Sequence, residues 1–334
     1  MLKASLIYIA SFVIIASGLK AAGTVVFPFL LAVFIAIVIS PAIKKLQELK
    51  LPRILAFILV MGVIFFALGS ITNTVVKTLN GLLGYMPELQ AKFKILTDEY
   101  IKLAVKYGFE INSVLPSGFD PNSIFTSVGG FLKSGTQIAS KAFFIFLLVT
   151  FMLFETQIFY QKVEYFASKN PQTNLIVDTF ISNLKRYLAI KSIASGATGI
   201  IIWLGLEFLG VPYASLWGIV ACVLNFIPTI GSIIAAFPAI LVSLLLNDIS
   251  TCLWVATLYI CVNVAIGNFI EPKFLGKGLG ISTLVVLLSL LFWGFLFGVG
   301  GMFLAVPLTM SLKIALDANP STKFIAVLLS DKVE

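Results

Sequence analysis

Long apolar stretches, separated by short charged links, run through nearly the whole chain. A helix needs about 20 apolar residues to cross a bilayer. Stretches near that length predict spanning helices at residues 4–20, 24–43, 54–76, 137–157, 192–209 and 252–270. Together with two longer apolar segments, they predict an all-α polytopic membrane protein with about six full spans plus two broken or re-entrant helical hairpins.

The two longer segments, Pro212–Leu246 and Thr283–Ala315, are too long for one crossing and too interrupted for one helix. Asn225–Gly231 breaks the first, and Gly298–Gly301, followed by Pro307, breaks the second. Interrupted helices expose backbone polar groups, which hydrocarbon tolerates only where they line protein or a water-filled cavity. Paired interruptions therefore point to a transport site. Each segment either turns back inside the membrane or crosses it as a kinked helix, which would give eight spans.

The charged links orient the helices, because cytoplasmic loops are rich in Lys and Arg. The link at 44–53 carries four basic residues and one acidic residue, so we predict that it and the N-terminus are cytoplasmic. This orientation predicts N-terminal helices at 1–76, an extracytoplasmic insertion at 77–136, a transport core at 137–320 and a cytoplasmic tail at 321–334.

Loop charges also favour re-entry of the first long segment over crossing. Residues 247–251 contain no Lys or Arg, whereas residues 271–280 contain Lys273 and Lys277. Re-entry places the second of these links inside the cell, as the charge bias requires. The two segments would then enter from opposite faces, which resembles the inverted arrangement of secondary transporters.

Two polar segments predict amphipathic helices. In the insertion, apolar residues recur at steps of four and three and make a heptad-like seam: Leu89, Phe93, Leu96, Tyr100, Leu103 and Tyr107. This seam indicates either packing within a small outer domain or association with further copies in a homo-oligomer. A second helix at 175–191 carries Lys185, Arg186 and Lys191, which predicts that it lies along the interface with anionic headgroups.

Composition excludes several classes of function. The chain is 59% hydrophobic and 11% charged, and its mean hydropathy is +1.06. The net charge of +8 comes from basic residues in short loops, which argues against nucleic-acid binding. Histidine is absent, and no phosphate-binding loop of the Walker type occurs. We therefore expect no metal, no cofactor, no ATP hydrolysis and no enzymatic activity.

The candidate transport path gathers the breaks and the polar residues near them: Asn225, Pro228, Thr229, Gly231, Asn263, Asn268, Glu271, Pro272, Gly298, Gly301 and Pro307. A helix that starts near Ser232 would aim its partly positive N-terminus at a cavity, which suits an electron-rich solute. A cation would prefer the carbonyls freed before Pro228. Glu271 and Glu207 are the candidate proton or cation carriers, because ionisable groups inside spans are rare.

The C-terminal half resembles the autoinducer-2 exporter family, also described as the PerM-like permeases. The matching residues are Arg186-Tyr187-Leu188, Gly210-Val-Pro-Tyr213, Asn225-Phe-Ile-Pro228, Ile230-Gly231, Pro238, Glu271-Pro272-Lys273, Gly276-Lys277, Leu279-Gly280, Gly298, Gly301-Met302 and Ala305-Val-Pro307. The resemblance implies a multi-pass inner-membrane transporter that forms oligomers. Members of the family have been linked to export of the furanone autoinducer-2, and others to exchange of sodium or lithium for protons.

The candidate residues and the resemblance are compatible with three functions. The favoured one is export of a small polar solute, similar to autoinducer-2, without ATP hydrolysis. A sodium or lithium/proton antiporter is the alternative, and it requires a carboxylate that both ions occupy in turn. A non-transporting membrane scaffold is the third, and the costly breaks inside the spans argue against it.

Overall fold

The computed structural model describes residues 2–107, 142–156, 171–275 and 280–331, with a few isolated positions between 130 and 165. In these ranges the chain forms helices and no strands. The α-helices, numbered in chain order, are α1 Leu2–Ala21, α2 Gly23–Glu48, α3 Arg53–Lys106, α4 Ala142–Thr156, α5 Pro171–Phe208, α6 Ala214–Leu224, α7 Ile230–Leu246, α8 Ile249–Asn263, α9 Glu271–Leu275, α10 Thr283–Phe297, α11 Val299–Asp317 and α12 Lys323–Leu328. A π-helix, Val264–Ile270, joins α8 to α9.

The all-α polytopic architecture is confirmed. Five of the described helices or helical runs are long and apolar enough to cross a membrane: Gly23–Glu48, Arg53–Leu103, Val177–Phe208, Ile249–Phe274 and Val299–Asp317. Exposed aliphatic and aromatic side chains cover much of their outer surface, as expected where the surrounding solvent is lipid.

Helix α3 runs unbroken through the boundary predicted at residue 76. Its 54 residues include Pro87, so the insertion begins as a direct continuation of the third span. Leu89 of the predicted seam is buried in the main core, and Phe93 and Leu96 pack against that core. Leu103 and Tyr107 are exposed. The rest of the insertion, residues 108–129 and 131–136, lies outside the described residues, and homo-oligomer formation stays a prediction.

Helix α5 joins two elements that the sequence separates. The predicted interfacial helix at 175–191 and the predicted span at 192–209 form one helix of 38 residues. No proline interrupts residues 172–208, and the charge of Lys191, which suggested a boundary, is neutralised by a distant partner. The helix boundary expected near residue 191 is therefore wrong.

Both long broken segments fold back as hairpins. In the first, α6 and α7 return the chain to its starting end, where the Asn247 side-chain amide donates to the Gly210 carbonyl at 3.2 Å. In the second, α10 and α11 do the same, and the Lys313 ammonium donates to the Gly280 carbonyl at 2.6 Å. Helix α6 has 11 residues, about 17 Å of helix, which is too short to cross a bilayer. Neither segment is therefore a single kinked helix, and whether each hairpin re-enters or crosses the membrane stays a prediction.

The two hairpins open at opposite ends of α5. The open end of the first adjoins Gly210, just after α5 ends. The open end of the second begins with Ile281, which shares a buried cluster with Leu184 and Leu188 near the other end of α5. The Arg186 guanidinium donates to the Phe274 carbonyl at 3.1 Å, which fixes the intervening α8–α9 run antiparallel to α5. Residues 186 and 208 are about 33 Å apart along the helix, close to one hydrocarbon thickness.

Asp248 caps α8 at the open end of the first hairpin. Its carboxylate accepts a hydrogen bond from the Thr251 backbone N–H at 2.6 Å. This bond holds the pKa of the Asp248 carboxyl below its ordinary value, because it stabilises the charged form. The group that begins the α8–α9 run is therefore an anion at the end of the molecule opposite Arg186.

Candidate functional site

The first hairpin turns through a strained backbone at Asn225–Thr229. Thr229 has φ of 62°, a region that costs a β-branched residue about 1–3 kcal/mol. A Cβ on Gly231 would collide with the Leu224 carbonyl, so only glycine lets α7 start this close to the end of α6. The Ser232 hydroxyl donates to the Thr229 carbonyl at 3.0 Å and occupies the first turn of α7.

The second hairpin is built in the same way. Gly298 has φ of 66° and ψ of −149°, a conformation that is essentially restricted to glycine. A Cβ on Gly301 would collide with the Trp293 carbonyl, as one on Gly231 would with Leu224. The returning helix of each hairpin also contains a buried proline, Pro238 in α7 and Pro307 in α11. Both breaks are thus specified by residues that the sequence singles out.

The two breaks lie against one another. Phe226, in the first break, stacks on Phe303, in the second turn of α11, with ring centroids 4.4 Å apart. Aromatic pairs in this arrangement contribute packing beyond their buried area. The tip of the first hairpin is therefore packed against the start of the returning helix of the second.

A buried polar stripe on α5 runs to this meeting point. Lys191, Ser195 and Thr198 are spaced by four and three residues, which places them on one helix face. Their exposed fractions are 4%, 0% and 6%. The Ser195 hydroxyl accepts a hydrogen bond from the Asn225 amide at 3.1 Å, which ties the first break to the middle of α5.

Lys191 forms the end of the stripe that is nearest the start of α5. Its ammonium lies 2.8 and 3.0 Å from the two carboxylate oxygens of Glu271, and Glu271 has a side-chain exposure of 14%. The prediction that Lys191 faces headgroups with Lys185 and Arg186 is wrong, because its charge is buried and paired. Arg186 is exposed and Lys185 is half-buried, and their contact with headgroups stays a prediction. Glu271, predicted as a proton or cation carrier, is held by an internal cation.

The other predicted path residues divide into buried and exposed positions. Asn263 is half-buried beside a small cavity at the tip of the first hairpin. Asn268 is exposed, so it does not share a face with Asn263 and Glu271 as the α-helical spacing predicts. Five residues turn an α-helix by about 140°, so Asn263 and Asn268 differ in direction even before the π-helix changes the rotation toward Glu271. Glu207 is exposed near the end of α5.

The remaining predicted path residues, in the two breaks and in α9, also differ in their exposure. Thr229, Gly298 and Pro272 are exposed, and Pro228 is half-buried. The sequence did not single out Ser195 and Thr198, although the spacing in Lys191-Ser-Ile-Ala-Ser-Gly-Ala-Thr198 could have indicated a polar face. Within the described ranges, no group of three or more Asp, Glu or Cys side chains is arranged to hold a metal ion.

A larger groove lies away from the breaks. It has a volume of about 380 Å³ and separates α3 from α4, with Phe65, Phe143 and Phe146 among its lining residues. It is open and mostly apolar. We assign the candidate site to the polar stripe and the two breaks, because the groove brings together none of the predicted path residues.

Comparison with known proteins identifies the group to which this architecture belongs. The statistical model of a family described as "AI-2E family transporter" matches residues 9–321. The chain belongs to the AI-2E transporter family. The C-terminal motifs therefore belong to this family, and the function of the protein is membrane transport. The candidate site lies wholly inside the matched residues.

Three relatives match over almost their full length. A Haemophilus influenzae protein named for transport in general is 40% identical, over 99% of this chain and 97% of the relative. The AI-2 transport protein TqsA of Escherichia coli K12 is 35% identical, over 97% of this chain and 95% of its own. YhhT of the same strain is 33% identical, over 97% and 93%. The AI-2E family assignment therefore rests on the whole chain.

Proposed function

We propose that this AI-2E family transporter exports a small polar solute, similar to autoinducer-2, across the inner membrane without hydrolysing ATP. The observation that supports this proposal is that the tip of the first hairpin bonds to a buried polar stripe of α5 and stacks on the returning helix of the second hairpin. Buried polar groups are costly in a membrane protein and are retained where they contact a polar ligand or one another. The printed name of TqsA gives the solute class for that relative, at 35% identity.

The chemistry of the stripe favours a neutral or electron-rich solute over a free cation. Ser195 and Asn225 offer a hydroxyl and an amide, and the N-terminus of α7 adds partly positive backbone N–H groups. The carboxylate of Glu271 is already neutralised by Lys191. A sodium or lithium ion would have to displace a buried ammonium before it could bind there, which argues against the antiporter.

The orientation is part of the proposal. The basic link at 44–53 and the basic residues near Arg186 and Lys273 would face the cytoplasm, as the charge bias of short loops requires. Both termini would then be cytoplasmic. The first hairpin would open to the outside and the second to the inside, so the stripe would lie between the two openings.

Replacing Asn225 by leucine is expected to lower solute efflux at least about tenfold. The change removes the amide that binds Ser195, leaves a buried hydroxyl unpaired and places an apolar group at the hairpin tip. The measurement is efflux of autoinducer-2 from loaded proteoliposomes. Asn73→Leu is the matched control, because Asn73 is exposed on α3, and it should transport at the wild-type rate.

Wild-type efflux in Asn225→Leu would contradict a path through the hairpin tip. Sodium-dependent proton movement in the same vesicles, abolished by Glu271→Gln, would instead favour the antiporter. If neither autoinducer-2 nor any tested ion moves, both transport assignments fail and the scaffold is left.

A further inference from the structure

A small cavity lies one helical turn beyond Ser195 on the polar stripe. It has a volume of about 10 Å³ and lies between α5, α6, α7 and α8. Four of its lining residues carry polar side chains: Thr198, Ser232, Tyr259 and Asn263. Four aliphatic side chains complete the wall. The cavity is therefore polar on one side and adjoins both the first hairpin break and the start of the π-helix.

Two of the residues that line this cavity carry a hydroxyl group without a hydrogen-bond partner. Thr198 Oγ1 and the Tyr259 hydroxyl are buried and unpaired, and each residue is only 6% exposed. Among the residues that the structure describes, the buried side-chain oxygen and nitrogen atoms without a partner are these two. Buried hydroxyls are nearly always bonded to protein or to an ordered molecule. Because both belong to residues lining one cavity, a single ligand atom could satisfy both.

The size and charge of the cavity restrict that ligand. A cavity needs about 10–15 Å³ to hold one water molecule, so this one accommodates about one oxygen atom. Its polar lining consists of neutral hydroxyls and an amide. A bare ion there would be uncompensated, since the buried charges of Lys191 and Glu271 neutralise each other. The ligand atom is therefore neutral, and hydroxyl partners allow it both to donate and to accept.

We propose that this cavity is a binding site for one neutral oxygen, which hydrogen-bonds to Thr198 and Tyr259. Water supplies that oxygen when no solute is bound. During transport a hydroxyl group of the solute takes its place, and this second step rests on the proposed function. The placement supports it, because Thr198 follows Ser195 on the stripe and Ser232 lies in the first turn of the helix that leaves the hairpin break.

A double-mutant cycle tests the site itself. Thr198→Val and Tyr259→Phe each remove one hydroxyl with little change of shape, and the melting temperature of the purified full chain in detergent is measured. If a bound oxygen links the two hydroxyls, each variant lowers the melting temperature by about 2–4 °C, and the double variant falls by less than the sum. Thr257→Val and Tyr107→Phe are the controls, because both residues are exposed, and neither should shift it measurably.

An empty cavity gives the opposite result. Each variant then removes an unpaired buried hydroxyl, so the melting temperature rises and the two shifts add. That outcome overturns the proposal. An experimental density map at a resolution that shows water provides a second, independent check. An ordered peak within hydrogen-bond distance of both hydroxyls supports the site, and an empty cavity contradicts it.

Flux of glycerol distinguishes the two sources of the oxygen. Glycerol is a neutral, hydroxylated probe, and its movement into proteoliposomes is followed by stopped-flow light scattering. If the solute hydroxyl occupies the site, Thr198→Val lowers glycerol flux about tenfold, the factor expected for one lost hydrogen bond. If the melting temperatures show that the two hydroxyls are coupled, but Thr198→Val leaves glycerol flux unchanged, the site binds water alone. A wild-type protein that does not carry glycerol contradicts the solute step for this probe, while the melting-temperature cycle still decides the oxygen site and autoinducer-2 efflux decides the proposed function.

Discussion

Glu271→Gln alone is expected to destabilise the protein by about 3–5 kcal/mol, whereas removing both charges of the Lys191–Glu271 pair should restore most of that loss. The single change leaves the Lys191 ammonium, which is 4% exposed, buried without a counter-charge. Lys191→Met combined with Glu271→Gln removes the buried charge altogether. The cost of the single variant is therefore mainly the cost of an orphaned ion, and not the value of the pair.

Thermal or denaturant unfolding in detergent measures this difference. Glu207→Gln is the matched control, because that carboxylate is exposed on the same helix as Lys191, and its effect should stay within about 0.5 kcal/mol. Equal losses in the single and the double variants would show that the two charges do not interact. The double variant also serves the transport assay, since it tests the role of the pair without unfolding the protein.

Gly199→Ala is expected to lower stability by about 1–3 kcal/mol, whereas Gly196→Ala on the same helix should raise it by up to about 1 kcal/mol. A Cβ on Gly199 would lie 2.8 Å from the Gly218 carbonyl oxygen and 2.6 Å from the Cys222 Cβ. Helices α5 and α6 would have to separate, because only small residues at a helix contact let the two backbones approach this closely. A Cβ on Gly196 meets no atom within 4 Å, so only the gain in helix propensity remains.

The two alanine variants carry the same chemical change on one helix, so the sign of the difference is the test. Melting temperature gives the stability. Because α6 leads directly to Asn225, separation of α5 and α6 should also weaken the Ser195–Asn225 bond and slow efflux in Gly199→Ala. A Gly199→Ala protein as stable as Gly196→Ala would contradict the close contact of α5 with α6.

The hairpins were predictable because their information is local. Pro228, Gly231 and Gly298 mark the breaks in the sequence itself, and the charges of Lys273 and Lys277 favour re-entry. Gly231 and Gly301, where a Cβ would collide with a backbone carbonyl, both lie in those breaks. The proline and glycine residues at the breaks, together with the loop charges, therefore account for the architecture of the C-terminal half.

The polar stripe was not predictable in the same way. Lys191 and Glu271 are 80 residues apart, and a basic residue on an amphipathic helix has the same pattern whether it faces lipid headgroups or a buried carboxylate. The face to which Asn268 points depends on a π-helix, which has no sequence pattern comparable to a proline or a glycine pair. Long-range pairing and local helix type thus decided which predicted residues meet.

Thiol labelling from the two sides of the membrane tests most directly that hairpins of opposite orientation enclose the transport site. Single cysteines are placed by Ile249→Cys and Lys273→Cys in a chain whose Cys222, Cys252 and Cys261 are replaced by alanine, and an impermeant reagent is applied to oriented vesicles. Ile249 adjoins the open end of the first hairpin and Lys273 precedes that of the second, and both are exposed. We predict labelling of position 249 only from the outside and of position 273 only from the inside. Labelling of both positions from the same side would contradict the arrangement.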